Sequence, residues 1–146
     1  MYTKTLVAGW GDMDFNAHMR NTAYLDKSAD VRMMYFADNG FPMSEFVRLK
    51  LGPVVMKDEI EYFRECRLLD AIEVTLSVAG LSEDGSRMIL RNEFFRESVL
   101  CAHVTSTVGW FDLANRKLTV PPAGLEAPLR ALAQAQDFRV LASSLR

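Results

Sequence analysis

Between Thr22 and Asn39 the chain carries a helical pattern that is apolar over most of its circumference. Leu25, Ala29, Met33 and Phe36 lie along one stripe, and Tyr24, Ser28, Val31 and Tyr35 along a second beside it. Asp26, Lys27 and Asp30 form the clearest wet edge. A helix with so little polar surface must be wrapped by other elements. Asn21 or Thr22 can cap its start, and Asn39-Gly40 followed by Pro42 stops it.

The rest of the chain supplies the wrapping. Residues 3–10 read as a first strand whose end is loosened by Gly9, Gly11 and Asp12. Four strand-like stretches follow the helix. Residues 54–65 carry Val54, Val55, Ile60, Tyr62 and Phe63. Residues 71–79 alternate with period two, Ile72, Val74, Leu76 and Val78 facing one way. Glu83-Asp84-Gly85-Ser86 supplies a hairpin turn into residues 87–96. Arg96-Glu97-Ser98 is a second tight connection, leading to a strand over 99–111. The stretch from Asp112 to Lys117 turns again, and Pro121-Pro122 ends the sheet. Residues 125–136, rich in Leu, Ala and Gln, predict a short terminal helix; residues 137–146 carry no assignable pattern. The 146 residues fit one domain, 1–146, with a helix or tail from about 122. One strand, one long buried helix and an antiparallel meander make an α+β design. A long central helix on a curved sheet of about five strands is the hotdog arrangement.

Charge and composition narrow the function classes. Seventeen Lys and Arg against nineteen Asp and Glu leave a net charge of −2, which predicts no nucleic-acid partner. Cys66 and Cys101 have no Cys-x-x-Cys spacing, and two histidines make a poor zinc set, so no metal is expected. No apolar run reaches about 18 residues, so no membrane span is expected. The first residues lack the apolar core of a signal peptide, and a reducing cytoplasm is the expected location. No Gly-rich phosphate loop, Ser-centred elbow or His-Glu-x-x-His occurs.

The chemistry concentrates between Gly11 and Tyr24. Two carboxylates, a histidine and two amides sit there between a strand end and a helix start. First-turn N–H groups lack intrahelical partners and carry the positive end of the helix dipole. They can hold a carbonyl oxygen that is becoming an oxyanion. A nearby carboxylate can attack that carbonyl or deprotonate a water that does.

This segment resembles the hotdog-fold acyl-CoA thioesterases of the 4-hydroxybenzoyl-CoA thioesterase type. That family's bacterial branch carries a pattern close to Asp-x-Asp-x-x-Gly-His-Val-Asn-Asn-x-x-Tyr, with an Arg eight residues later. Here it reads Asp12, Asp14, Ala17, His18, Met19, Arg20, Asn21, Tyr24 and Arg32. The stretch from Gly52 to Arg64 is similar to the family's second strand, and Arg67-Leu68-Leu69-Asp70-Ala71-Ile72 to its strand-to-strand turn. The resemblance spans roughly residues 5 to 122. It implies hydrolysis of a thioester of coenzyme A or of an acyl carrier protein, with no cofactor beyond the coenzyme A of the substrate. Asp14 matches the catalytic aspartate, as nucleophile or general base. His18 matches the motif histidine and Asn21 a residue beside the thioester pocket. A backbone N–H around residues 20 to 24 polarises the carbonyl. Phe15 and Tyr24 become pocket residues. A homodimer or dimer of dimers brings Val55, Met56 and Lys57 of a second chain to the site. Three departures stand out. Ala17 replaces the loop glycine, which disfavours positive φ there. Arg20 replaces the first amide of the pair. Ala29 stands where the family often has Glu.

Plainer roles compete at each position. Asp14 can simply bind the loop backbone, His18 can hold the loop, and Asn21 can be a cap. Asp12 reads as a solvated acid, and Tyr24 as core or pocket wall. Cys66 and Cys101 read as buried inert thiols, and His103 as a strand histidine outside catalysis. Arg64, Arg67 and Arg91 are candidates for the phosphates of coenzyme A or exposed strand charges. Phe41, Met43 and Phe46 are candidates for a lid or side wall. Two other functions remain open at this point: an enoyl-CoA hydratase, faintly echoed by Asp14-Phe15-Asn16-Ala17-His18, and a non-catalytic acyl-thioester binder.

Overall fold

A computed structural model describes residues 1–145. The long helix, α1, runs Asn21–Asp38. A second helix that the sequence did not announce, α2, follows at Met43–Leu49. Around them lie β1 (Tyr2–Val7), β2 (Leu51–Tyr62), β3 (Ala71–Ser82), β4 (Arg87–Arg96) and β5 (Val99–Asp112). These five pair antiparallel in the order β1-β3-β4-β5-β2. The expected count of about five holds for this path, and two short strands extend it. β6 (Lys117–Thr119) pairs with β5, and β7 (Gln134–Leu141) pairs with β3. β7 runs parallel to β3, so the sheet is not wholly antiparallel.

The C-terminal stretch therefore differs from expectation. The helix, α3, occupies Ala123–Ala131, and Gln134 to Leu141 join the sheet instead of extending it. The reason is geometric. β1 pairs with β3 only as far as Leu76, and β7 takes up the same edge from Val78 onward. Beyond Leu76, every residue of β3 is buried, although only alternate residues are before it. Ser143 and Ser144 then tie the tail to the β3–β4 turn, through Asp84 and through a 2.8 Å bond from the Ser144 N–H to Ser86 Oγ.

The core lies between α1 and the sheet. Val31 and Phe36 of α1 meet fully buried Ile72, Val74, Leu76, Leu90, Phe94 and Trp110. Arg32 also turns inward, 8 % exposed. Its Nε donates to Asn92 at 2.8 Å and its Nη2 to Ser106 at 2.9 Å, and Ser106 in turn donates to Asp58. Burial lowers the Arg32 guanidinium to about 10, with Asp58 opposing the shift. It stays charged at neutral pH, held by neutral acceptors and one carboxylate a hydroxyl away.

The C-terminal end of α1 is sealed. Gly40 takes φ +86°, Gly40 N–H bonds Ala37 O at 3.3 Å and Phe41 N–H bonds Phe36 O at 2.8 Å. That pair of bonds is a Schellman motif. Phe41 packs edge-on against Phe46, which stacks on Trp110. Phe41 and Phe46 are thus core residues, and neither lines the cleft at the other end of α1.

Candidate active site

The loop from Gly9 to Arg20 is built by its own polar groups. Trp10–Asp12 form one 3-10 turn. Asp12 accepts the Gly9 N–H at 2.8 Å and the Lys27 ammonium at 2.9 Å. It is a paired loop anchor, not a solvated acid. Burial pushes its carboxyl up, but the Lys27 bond, the Gly9 N–H and the Arg20 charge outweigh this and hold it below the ordinary carboxylate value.

The loop then folds back on itself. Met13 bridges to Met19, and Asp14 N–H bonds His18 O at 2.8 Å. At the tip Ala17 takes φ +62°. The backbone keeps the left-handed turn without the glycine that would ease it. Asp14 Oδ1 accepts the N–H groups of Asn16 at 2.8 Å and His18 at 3.1 Å. Its Oδ2 has no hydrogen-bond partner among the described residues. One oxygen therefore fixes the loop, and the other takes no part in it.

The start of α1 is left open. The cap position falls on Arg20, before either expected cap, Asn21 or Thr22, and no side chain caps it. Arginine carries no acceptor, so the first-turn N–H groups gain no side-chain partner. Arg20 instead clamps the loop. Its Nε donates to Thr22 Oγ1 at 3.0 Å, its Nη1 to Gly11 O, and its N–H to Asp12 O at 2.8 Å. Asn21 is released from capping.

Asp14, His18, Asn21 and Tyr24 converge on one open cleft of about 590 Å³, closed on its far side by Tyr62, Phe63, Arg64 and Glu65. Tyr62 Oη donates to Asn21 O at 3.1 Å, and its ring lies edge-on to Tyr24 at 5.3 Å. Tyr24 is buried, and burial raises its phenol, with the neighbouring Cys66 thiol adding to the shift. It is a cleft wall rather than a proton donor. Cys66 and Cys101 are buried and unpaired, and burial pushes the Cys66 thiol up to about 11. That makes Cys66 an inert thiol.

Other candidates fall elsewhere. Phe15 sits at the loop tip, fully exposed, and does not line the cleft. Val55, Met56 and Lys57 lie on β2, away from the cleft, where Met56 is the extra residue of a bulge opposite Val108 and Thr107. Val55 instead lines a second, apolar cavity of about 150 Å³ with Ala29, Met33 and Phe36. Arg64 reaches the cleft, and its guanidinium binds only the Phe63 carbonyl among the described residues. Arg91 is committed to Asp137 by two bonds of 2.7 and 3.0 Å. His103 lies on β5, paired with Glu61 at 3.2 Å. No cluster of three or more metal-ligating side chains occurs among the described residues, and no helix is long and apolar enough to cross a membrane.

Sequence reasoning missed Glu65. Its carboxylate pairs with His18 Nε2 inside the cleft. No motif marks it, because its partner sits in a distant loop.

A family model described as the thioesterase-like superfamily matches residues 8–129. No curated protein matches the chain by sequence. Several solved structures share the fold. A hypothetical protein of Aquifex aeolicus aligns with a TM-score of 0.82 at 19 % identity, covering 88 % of this chain and 99 % of that one. A hypothetical protein of Staphylococcus aureus, solved in complex with CoA, gives 0.81 at 18 % identity, with 99 % and 89 % covered. The 1,4-dihydroxy-2-naphthoyl-CoA thioesterase of Synechocystis gives 0.80 at 13 % identity, with 90 % and 96 % covered. At such identities the likeness is one of fold.

Proposed function

Because the chain belongs to the thioesterase-like superfamily, we propose that it hydrolyses an acyl-coenzyme A thioester at the open end of α1, with Asp14 acting on the carbonyl carbon. The observation that carries this reading is the Asp14 carboxylate itself. Oδ1 is locked to two loop N–H groups while Oδ2 has no partner among the described residues, in a cleft also lined by Asn21, the first residue of the uncapped helix.

The division of labour follows. The N–H groups of the first turn of α1, around Asn21, hold the thioester oxygen as it gains charge. Asp14 Oδ2 either takes a proton from water or attacks directly and forms an anhydride that water then opens. In both routes the C–S bond breaks and coenzyme A leaves as a thiolate. Side chains and water suffice; no further cofactor takes part. Asn21 and Tyr24 border the thioester, and Arg64 at the rim meets a phosphate of coenzyme A, or the phosphodiester of an acyl carrier protein. Met19, Tyr24, Tyr62 and Phe63 give the cleft an apolar side that suits an aliphatic or aryl acyl group.

A homodimer, alone or paired into a tetramer, completes the site. β2 pairs with β5 along one edge only and carries half-exposed Val55 and Met56 on an otherwise open strand. Val55, Met56 and Lys57 of a second copy would then wall the cleft. A reducing cytoplasm suits the two free thiols.

Thiol release from a panel of short, long and aryl acyl-CoAs tests the reading. Turnover by the wild type that Asp14→Ala loses, with the fold intact by circular dichroism, supports it. Hydration of crotonyl-CoA in place of thiol release would mean a hydratase. Tight binding of acyl-CoA and carrier-protein thioesters without turnover would mean a binding protein.

A further inference from the structure

We infer that Glu65 is a positioning residue for the hydrolysis, acting through His18; the inference rests on the thioesterase reading of the same cleft. Four contacts converge on His18. Its N–H donates to Asp14 Oδ1 at 3.1 Å, and its carbonyl accepts the Asp14 N–H at 2.8 Å. Its backbone bridges to Arg67. Its Nε2 pairs with the Glu65 carboxylate. The Glu65 segment is itself anchored: the neighbouring Cys66 carbonyl accepts Met19 N–H at 2.8 Å, and Arg96 Nη1 donates to the Glu65 carbonyl at 2.8 Å. Both side chains line the cleft that holds Asp14.

The consequence is a choice of tautomer. A neutral imidazole has one N–H and one lone pair. Glu65 can only accept, so it selects the form with hydrogen on Nε2 and the lone pair on Nδ1. Nδ1 has no hydrogen-bond partner among the described residues. It is the acceptor left to orient a water in the cleft that Asp14 also lines. Without Glu65 the two tautomers mix and the ring loses the contact that fixes its orientation, so the acceptor is seldom in place. His103 is the built-in contrast: it carries Glu61 on Nε2 at 3.2 Å, but its Nδ1 is buried without a partner, on a strand outside the cleft.

The test uses the full chain with Glu65→Gln, Glu65→Ala and Glu65→Asp. Thiol release should show kcat reduced about tenfold in Gln and Ala at unchanged KM, and partly restored in Asp. Long-range 1H–15N imidazole spectra at pH 8, with His103→Asn to assign the two histidines, should show His18 in the Nε2–H form in the wild type and as a tautomer mixture in Glu65→Ala. Unchanged kcat in both Gln and Ala variants, or a tautomer mixture already in the wild type, overturns the inference. If the wild type releases no thiol from any substrate, the hydrolase reading fails, and with it Glu65's part in hydrolysis; the spectra then report only whether Glu65 holds the His18 tautomer.

Discussion

The two ends of α1 are built on opposite principles. At the C-terminal end every device available closes the helix. Gly40 supplies the left-handed turn, two backbone bonds satisfy the last carbonyls, Asn39 Nδ2 adds a bond to Tyr35 O at 2.8 Å, and Phe41 and Phe46 cover the end. At the N-terminal end the cap position holds an arginine with no acceptor to offer, and the adjoining loop spends its polar groups on its own shape. On the proposed reading, the N–H groups left uncapped beside the half-engaged carboxylate are the ones that meet the thioester oxygen. On that reading stability is stored at one end of the helix and reactivity at the other.

That contrast can be broken by single substitutions. The largest expected effect is Asp14→Asn, which keeps an oxygen acceptor for the Asn16 and His18 N–H groups but removes the charge. Thiol-release kcat should fall at least about a thousandfold, roughly 4 kcal/mol of barrier, with thermal stability unchanged. At the sealed end, Phe41→Ala should cost about 3–5 kcal/mol of unfolding free energy in urea titration and leave kcat of the folded fraction intact. Gly40→Ala probes the same end through the backbone. A methyl at φ +86° should cost about 1–2 kcal/mol by the same titration.

Much of this contrast is readable from the sequence, and the limits are instructive. Asn39-Gly40-x-Pro42 announces the sealed end because capping at a C-terminus is local and needs glycine's backbone freedom. The open end misleads for the opposite reason. Asn21 is a good cap by residue type, but the loop clamp made by Arg20 shifts the cap one residue earlier and frees Asn21 for the cleft. Asp14 is legible as a carboxylate of the cleft, and its loop-binding role is carried by one oxygen, which leaves the other for the proposed reaction. Glu65 and β7 are illegible because their partners lie far along the chain. β7 in particular has no period-two burial, since it fills an edge that β1 vacates.

Two smaller effects sharpen the comparison within the open end. Asp12 is held below its ordinary range by Lys27, Gly9 and Arg20 against the effect of burial. A depressed folded value means that this anchor stabilises the fold above the ordinary carboxylate range and is lost as pH falls through the folded value. Lys27→Met should therefore lower the urea midpoint at pH 7 by an amount equal to about 1 kcal/mol and flatten the loss of stability between pH 5 and pH 3. Ala17→Gly relieves the left-handed turn at φ +62° and should gain at most about 1 kcal/mol, a rise of a few degrees in Tm.

The most direct measurement sets Asp14→Asn beside Phe41→Ala in one experiment, reading kcat from thiol release and Tm from circular dichroism for each. The account predicts a clean crossing. Asp14→Asn loses turnover and keeps the wild-type Tm, whereas Phe41→Ala melts about 10 °C earlier and keeps its kcat below the transition. Full turnover by Asp14→Asn would contradict the account, because the open end of α1 would then not be where the thioester is cleaved.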